Sequence, residues 1–307
     1  MDVLSDVITV TRTGRARSAH VRWHAPWGQH FASVPGSAGF QVILQGSCWL
    51  LPPDAQPVPL GEGDVVFLPR GTGHTLADSP ETPVVAPGCV PGDPLSVSDS
   101  VDRSGQGGPE TVVLCGAYQL DVSRAHPLLL TLPSVMHLPA RSRRNPELTS
   151  AVRLLAAEVR HPRLGADAAR RALLDTLLLY ILRVWFDEQP VRGGTAGWAA
   201  ALNDPPVAAA LHAIHGDPAA GWTVAKLAAQ AGLSRAAFAR RFATLVGQPP
   251  LAYLTWWRMT TAERLLRTSD APLRSIAEQV GYGSEFAFAT AFKRSHATSP
   301  GRYRRES

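Results

Sequence analysis

Cysteine is scarce in this chain. Only Cys48, Cys89 and Cys115 are present. An odd, low count excludes a disulfide-stapled secreted scaffold and fits a reducing compartment, so the expected location is the cytoplasm. The opening stretch, MDVLSDVITVTRTGRARSAH, lacks the apolar core of a secretory signal, and no leader is expected. Long apolar runs are missing too. The strongest, 172–186, is interrupted by Asp175 and Arg183 and is too short to cross a bilayer, so no membrane partner is expected. Charge is modest at 18% and unevenly placed. From residue 203 onward 13 Lys plus Arg stand against 7 Asp plus Glu, while the first 202 residues hold 17 against 18. A basic half joined to a neutral half is the distribution of a nucleic-acid-binding module fused to something else, although charge alone describes a solvated basic surface equally well. At 307 residues the chain is long enough for two domains, each with its own core.

What is present organises around 223–242, TVAKLAAQAGLSRAAFARRF. Thr223 is an N-cap residue type, and Val224, Leu227, Ala228 and Ala231 recur at helical spacing. Gly232 stops that helix, because it enters a left-handed conformation without a Cβ penalty. Ser234 then caps a second helix with Phe238, Phe242 and Leu245 on one face, and Ala236, Ala239, Arg240 and Ala243 on the other. Helix, glycine turn, helix is the helix-turn-helix pattern. It occurs twice. Leu227, Ala228, Gln230, Gly232 and Leu233 correspond to Ile276, Ala277, Gln279, Gly281 and Tyr282 at an offset of 49. After one inserted residue, Ser234, Phe238, Ala239 and Phe242 correspond to Ser284, Phe288, Ala289 and Phe292 at an offset of 50.

Gly281-Tyr282, Ser284, Phe288, Ala291-Phe292-Lys293-Arg294 and Ser299-Pro300-Gly301-Arg302-Tyr303-Arg304 resemble the C-terminal signature of AraC-type transcription regulators. The resemblance covers about residues 204–305. It implies two helix-turn-helix units on a shared helix, here about 250–268, whose recognition helices enter successive major grooves of double-stranded DNA. On the first such helix it places Ala236, Ala239 and Arg240 at base edges, and only Arg240 can donate a bidentate pair to guanine. Arg235 and Arg241 read as phosphate contacts or solvated surface. On the second, the matching positions are Glu285, Phe286, Ala289 and Thr290. The family often has Arg where Thr290 stands, so this half is expected to read bases weakly and to hold the backbone through Lys293 and Arg294. Phe286 is open between an exposed wedge and a core residue.

Residues 1–19 read as a short amphipathic helix with Val3, Leu4, Val7 and Ile8 on its apolar face. From His20 to about Leu132 the pattern changes to short runs between Gly and Pro, with strands expected at 20–24, 29–34, 39–45, 47–51, 64–68, 111–118 and 127–132, the arrangement of a sandwich or barrel. Within it, Gly63-Asp64-Val65-Val66-Phe67-Leu68-Pro69-Arg70-Gly71-Thr72-Gly73-His74 is similar to the second cupin motif, with Asp78 where the motif ends in Asn. The first motif, with its His-x-His pair, is missing. The resemblance implies a jelly-roll barrel whose mouth can hold a small-molecule ligand. Residues 78–110 are dense in Pro, Gly, Ser and Asp and read as a disordered loop. Two helices follow, one with Leu148, Val152, Leu155 and Val159 as its stripe, and one at 166–186 whose apolar face is wide enough to suggest a homodimer beside packing within one chain. Residues 187–206 read as a linker.

The expected class is therefore α+β: a cupin-like sensor at 1–140, a helical dimerisation segment at 141–190 and a double helix-turn-helix domain at 204–305. The function expected is sequence-specific transcription regulation in response to a signal. For the sensor, His74, Cys115, Cys48, His30 and His20 are the side chains available near the barrel mouth. A thiol switch would pair Cys89, in its exposed loop, with Cys115 in the apolar strand VVLCGAY. The alternative keeps Cys48 and Cys115 as small buried hydrophobes. No metal and no cofactor is expected, because only His74 stands at a ligand position of the motif and a metal site needs three or four donors. No catalytic residue is assigned. A metal-dependent cupin enzyme fused to a DNA reader, and a DNA-binding protein with no ligand, are the competing classes.

Overall fold

The computed structural model describes residues 3–11, 17–84, 86–89, 100–103, 107–119, 126–140, 145–188 and 197–306. It begins with helix α1 (Val3–Thr11). The barrel strands are β1 (Arg17–His24), β2 (Gly28–Phe31), β3 (Ser37–Gln45), β4 (Cys48–Leu51), β5 (Val58–Leu60), β6 (Val65–Leu68), β7 (His74–Ala77), β8 (Ala86–Cys89), β9 (Ser100–Arg103) and β10 (Glu110–Gln119). A short helix α2 (Pro127–Leu130) and strand β11 (Met136–Leu138) follow, then α3 (Pro146–Arg160) and α4 (Ala166–Glu188). The C-terminal helices are α5 (Trp198–Asn203), α6 (Pro205–Gly216), α7 (Val224–Gln230), α8 (Arg235–Val246), α9 (Pro250–Thr268), α10 (Leu273–Gln279), α11 (Glu285–His296) and α12 (Pro300–Glu306).

The strands form two sheets, ordered β11-β6-β3-β10-β1-β9 and β5-β4-β7-β2-β8. Alternation along β3 decides what each face buries. Gln41 and Ile43 point one way and Phe40 and Val42 the other, yet all four are buried. Ile43 joins Trp23, Trp27 and Phe31 with Leu50, Leu60, Leu68 and Leu76 in one cluster drawn from both sheets, so the sheets close face to face. The opposite face of the six-stranded sheet is covered by the helices after the barrel, where the Tyr118 hydroxyl donates to the Leu174 carbonyl of α4 at 2.7 Å.

Three expectations change here. The run 127–132 is a helical turn rather than a strand: Pro127 stands at its first position, and His126 caps it by accepting from the Leu128 amide at 3.0 Å. Within 78–110, β8 pairs in parallel with β2 and β9 with β1. The rest of the expected disordered loop lies largely outside the described residues. Inside the expected linker, α5 buries Trp198 and Ala201.

The backbone groups into two compact units. One is 12–125 with 132–189; the other is 1–11, 126–131 and 190–307. The division expected at residue 140 would leave α1 and α2 with the barrel, whereas their contacts place them in the helical unit. A buried polar chain shows why. His126 Nδ1 accepts from the Leu128 amide, so its Nε2–H donates to the Tyr253 hydroxyl at 3.0 Å. That hydroxyl donates to His215 Nε2 at 2.6 Å, and His215 Nδ1–H donates to Asp6 Oδ2 at 3.0 Å. Each of the four side chains is buried and each bond of the chain has a donor and an acceptor, as low-dielectric surroundings require. Burial pushes the His126 pKa well below its ordinary value and the Tyr253 pKa well above, consistent with neutral groups throughout the middle of the chain.

Candidate nucleic-acid interface and sensor unit

The two helix-turn-helix units repeat their backbone hydrogen bonds as they repeat their sequence. In the first turn the Gly232 amide donates to Ala229 O at 3.1 Å and the Leu233 amide to Ala228 O at 2.9 Å. In the second, Gly281 donates to Glu278 O at 3.0 Å and Tyr282 to Ala277 O at 2.8 Å. Both glycines sit at positive φ, +66° and +80°, which a Cβ would penalise. Gly281 carries a second constraint, because an added Cβ would lie 2.8 Å from Ala219 O. Ser234 and Ser284 then cap the second helix of each unit, accepting from the Ala237 and Ala287 amides at 3.3 and 3.2 Å. Phe238 with Phe242, and Phe288 with Phe292, are fully buried. The shared helix α9 spans Pro250–Thr268, and its buried Glu263 accepts from the Tyr303 hydroxyl at 3.0 Å and pairs with Arg267 at 3.3 Å.

These anchors turn the opposite faces outward. On α8, Arg235, Ala236 and Arg240 are exposed and Ala239 is half-buried. On α11, Glu285, Phe286, Thr290, Lys293 and Arg294 are exposed and Ala289 is half-buried. Phe286 resolves the alternative left open by the sequence, since 84% of its surface faces solvent. Arg241 differs from its neighbours. Its Nε donates to Asp204 Oδ2 at 2.8 Å and Nη2 reaches the same oxygen, while Asp204 Oδ1 caps α6 through the Val207 amide. Its guanidinium is committed to joining α8 to α6, a constraint that the sequence reading as a phosphate contact did not include. For Arg240, Lys293 and Arg294 there is no ion pair among the described residues.

In the barrel unit His74 is a packing residue. It is stacked on Phe31 with ring centroids 4.8 Å apart. Its Nδ1–H donates to Thr72 O at 3.2 Å, and its Nε2 accepts from the Gln41 amide at 3.1 Å. Both ring nitrogens are therefore hydrogen-bonded inside the fold. Burial, the leading cause, lowers its pKa to about 4. Among the described residues there is no group of three or more His, Cys, Asp or Glu placed to hold a metal ion. Cys115 is buried in the barrel cluster and its thiol donates to Ala19 O at 3.6 Å. Cys48 is buried in the same cluster, and desolvation pushes its thiol up to about 12. Cys89 belongs to β8 at the edge of the five-stranded sheet, whereas Cys115 is on β10 in the six-stranded one. The Cys89 side chain lies outside the described residues. His20 accepts from Arg160 Nε at 3.3 Å, and burial followed by the Arg160 charge lowers its pKa.

Trp23, Trp27, Phe31 and their aliphatic neighbours form the buried cluster between the two sheets, where a ligand was expected. Beside it lies open space. A cleft of about 600 Å³ runs between the ends of β3, β6 and β11 and one side of α3. Leu44, Val65, Leu138, Leu148, Val152 and Ala156 supply apolar lining, with Arg153, Arg160, Glu62 and Glu188 at charged positions. Among the described residues no partner of Arg153 is found, and no helix is long and apolar enough to cross a membrane.

Comparison with known proteins agrees with both halves. Residues 2–187 match a family model described as Cupin, and residues 227–306 match one described as Helix-turn-helix domain. A relative from Streptomyces lividans, named as an AraC-like transcription regulator, is 38% identical over 99% of this chain and 98% of its own. The HTH-type transcriptional regulator AlkR of Acinetobacter baylyi is 29% identical over 100% of both chains. Among solved structures, the DNA-binding domain of AdpA in complex with a target DNA is 36% identical over 34% of this chain and 92% of that one, at a TM-score of 0.32.

Proposed function

The chain belongs to the family of AraC-like transcription regulators, with a cupin domain ahead of its DNA-binding helices, and from that premise we propose how it reads its operator and its signal. Base edges are read by Ala236, Ala239 and Arg240 of α8 and by Glu285, Phe286, Ala289 and Thr290 of α11. Arg235, Lys293 and Arg294 hold phosphates, and Arg241 serves the same surface by fixing α8 to α6. The observation that carries this reading is the pair of matched turn-and-cap frameworks, each of which buries two phenylalanines four residues apart and turns the opposite face of its second helix outward. Arg240 is the group with guanine chemistry, since its free fork can donate twice to O6 and N7.

The signal is a small amphipathic molecule bound in the cleft beside α3. Its volume falls in the ordinary range for ligand sites, and an apolar lining with an unpaired Arg153 suits an apolar body with an anionic end. Oxidation of Cys89 is the second reading, since Cys48 and Cys115 are too buried to respond first. The protein acts as a cytoplasmic homodimer rather than as an enzyme. The relatives' names as regulators support the latter, and Leu154, 59% exposed on α3, supplies apolar surface for the former.

The test is binding of the full chain to duplexes selected from a random pool. Arg240→Ala should cost about 1–3 kcal/mol on the selected site and relax preference at one position. Lys293→Ala should weaken all sequences alike and reduce the salt slope by about 1. Equal binding by Arg240→Ala and parent would remove the readout assignment. Running the same assay with oxidant, and with Cys89→Ser, separates the thiol signal from the cleft ligand.

A further inference from the structure

The two recognition helices present different chemistry at equivalent positions. With the repeat offset of 50, Ala236 corresponds to Phe286, Ala239 to Ala289 and Arg240 to Thr290. Phe286 is on the turn of α11 opposite Phe288 and Phe292, which fill the core, and its ring stands 84% exposed. Thr290 Oγ1 donates to the Phe286 carbonyl at 2.9 Å. That bond uses the hydroxyl hydrogen within the helix and leaves the threonine methyl, beside an oxygen that can only accept, for outside contact. Ala289 lies between them, half-buried. The face is thus a phenyl ring and two methyl groups, with no side-chain donor to offer a base.

Its borders are charged. Lys293 and Arg294 follow one turn later, exposed and without ion pairs among the described residues. An apolar strip with cations at its C-terminal end is complementary to a groove floor flanked by phosphates. In the major groove the apolar feature of that floor is the 5-methyl group of thymine. Glu285 stands where the first repeat has Arg235, and its carboxylate disfavours a phosphate at the start of α11, leaving that turn to base edges.

Building on the DNA-binding reading above, we propose that the second recognition helix selects thymine by its 5-methyl group, through Phe286, Ala289 and Thr290. The chain then reads its operator by two codes. Arg240 reads guanine by hydrogen bonding in one groove, and α11 reads methyl groups by apolar contact in the next.

The experiment uses the full chain and a selected duplex in which deoxythymidine is replaced by deoxyuridine, one half of the site at a time. The exchange removes methyl groups and keeps every base-pair hydrogen bond. The parent should lose affinity about fourfold for each contacted methyl in one half, the transfer free energy of a single carbon. Phe286→Ala should bind the thymidine duplex more weakly and no longer distinguish it from the deoxyuridine duplex. Arg240→Ala should bind weakly yet keep the distinction. The phenylalanine variant should unfold at the parent's temperature, because the ring is outside the core. Equal affinity of the parent for both duplexes overturns the inference, including the case in which Phe286→Ala weakens binding, which would make the ring a wedge between base steps. Unchanged binding by Phe286→Ala also overturns it. Failure to select any duplex would instead refute the DNA-binding reading beneath it.

Discussion

Lowering the pH from 7 to 5 should loosen the barrel through His74. Folded, the ring is buried against Phe31, with one nitrogen donating to Thr72 O and the other accepting from Gln41. A second proton would set an N–H against the Gln41 amide hydrogens in a desolvated site. The folded pKa is accordingly lowered from 6.5 to about 4, chiefly by burial, then by the nearby His30, against an opposing contribution from the Thr72 hydrogen bond. In the unfolded chain the ring titrates near its ordinary value. Stability from the neutral ring is therefore complete above about pH 6.5, falls as the unfolded state takes up a proton, and stops falling below about pH 4. At pH 5 the loss is about 2 kcal/mol, or about thirtyfold in the population of open barrel. Cys48 and Cys115 report that opening, since both thiols lie in the barrel core. In a Cys89→Ser background, their rate of modification by a disulfide reagent, divided by that of a free thiol at the same pH, should rise from pH 7 to pH 5, with about twentyfold of the rise due to His74. In His74→Gln, which cannot titrate, the rise should be smaller by that factor. The buried His20 and His126 remain in both proteins and cancel in the comparison. Identical pH profiles for the two proteins would refute the assignment of His74 as a buried neutral packing residue.

Other perturbations test the helical unit. Tyr253→Phe removes the hydroxyl between His126 and His215 and strands two buried ring nitrogens, so it should cost about 2–4 kcal/mol in urea unfolding of the full chain; a loss below about 0.5 kcal/mol would mean that the chain of bonds is not formed. Gly232→Ala should cost only the left-handed backbone penalty of about 1–2 kcal/mol, as nothing lies within 4 Å of the new methyl. Gly281→Ala should cost more, because its methyl would meet the Ala219 carbonyl at 2.8 Å, and equal costs at the two sites would contradict the close approach. Asp204→Ala removes both the cap of α6 and the partner of Arg241, and should weaken DNA binding together with stability, whereas Arg240→Ala should leave the unfolding midpoint unchanged.

The helix-turn-helix units were legible because everything that makes them is local. A serine cap, a glycine at the helix end and phenylalanines four residues apart act within a dozen positions, so their types and spacing determine the turn, the cap and the buried face. The shared helix at 250–268 and the second cupin motif were readable for the same reason. Arrangements whose partners are far apart in the chain were not. Asp6 meets His215 across 209 positions and His126 meets Tyr253 across 127, so only the tertiary structure could move α1 and α2 into the helical unit. The run 127–132 carries an apolar pattern that suits strand or helix, and its docking and its proline chose the helix. His74 stood at a ligand position in the motif, but only the tertiary structure brings the Gln41 amide and the Thr72 carbonyl to its nitrogens and opens a cleft beside α3. By itself the sequence determined two reading helices and, Phe286 apart, which of their residues face outward. The tertiary structure decided which outward groups are free: Arg240 is, Arg241 is held by Asp204, and the Thr290 hydroxyl hydrogen is spent on its own helix, because a side chain's chemistry depends on the neighbours that reach it first.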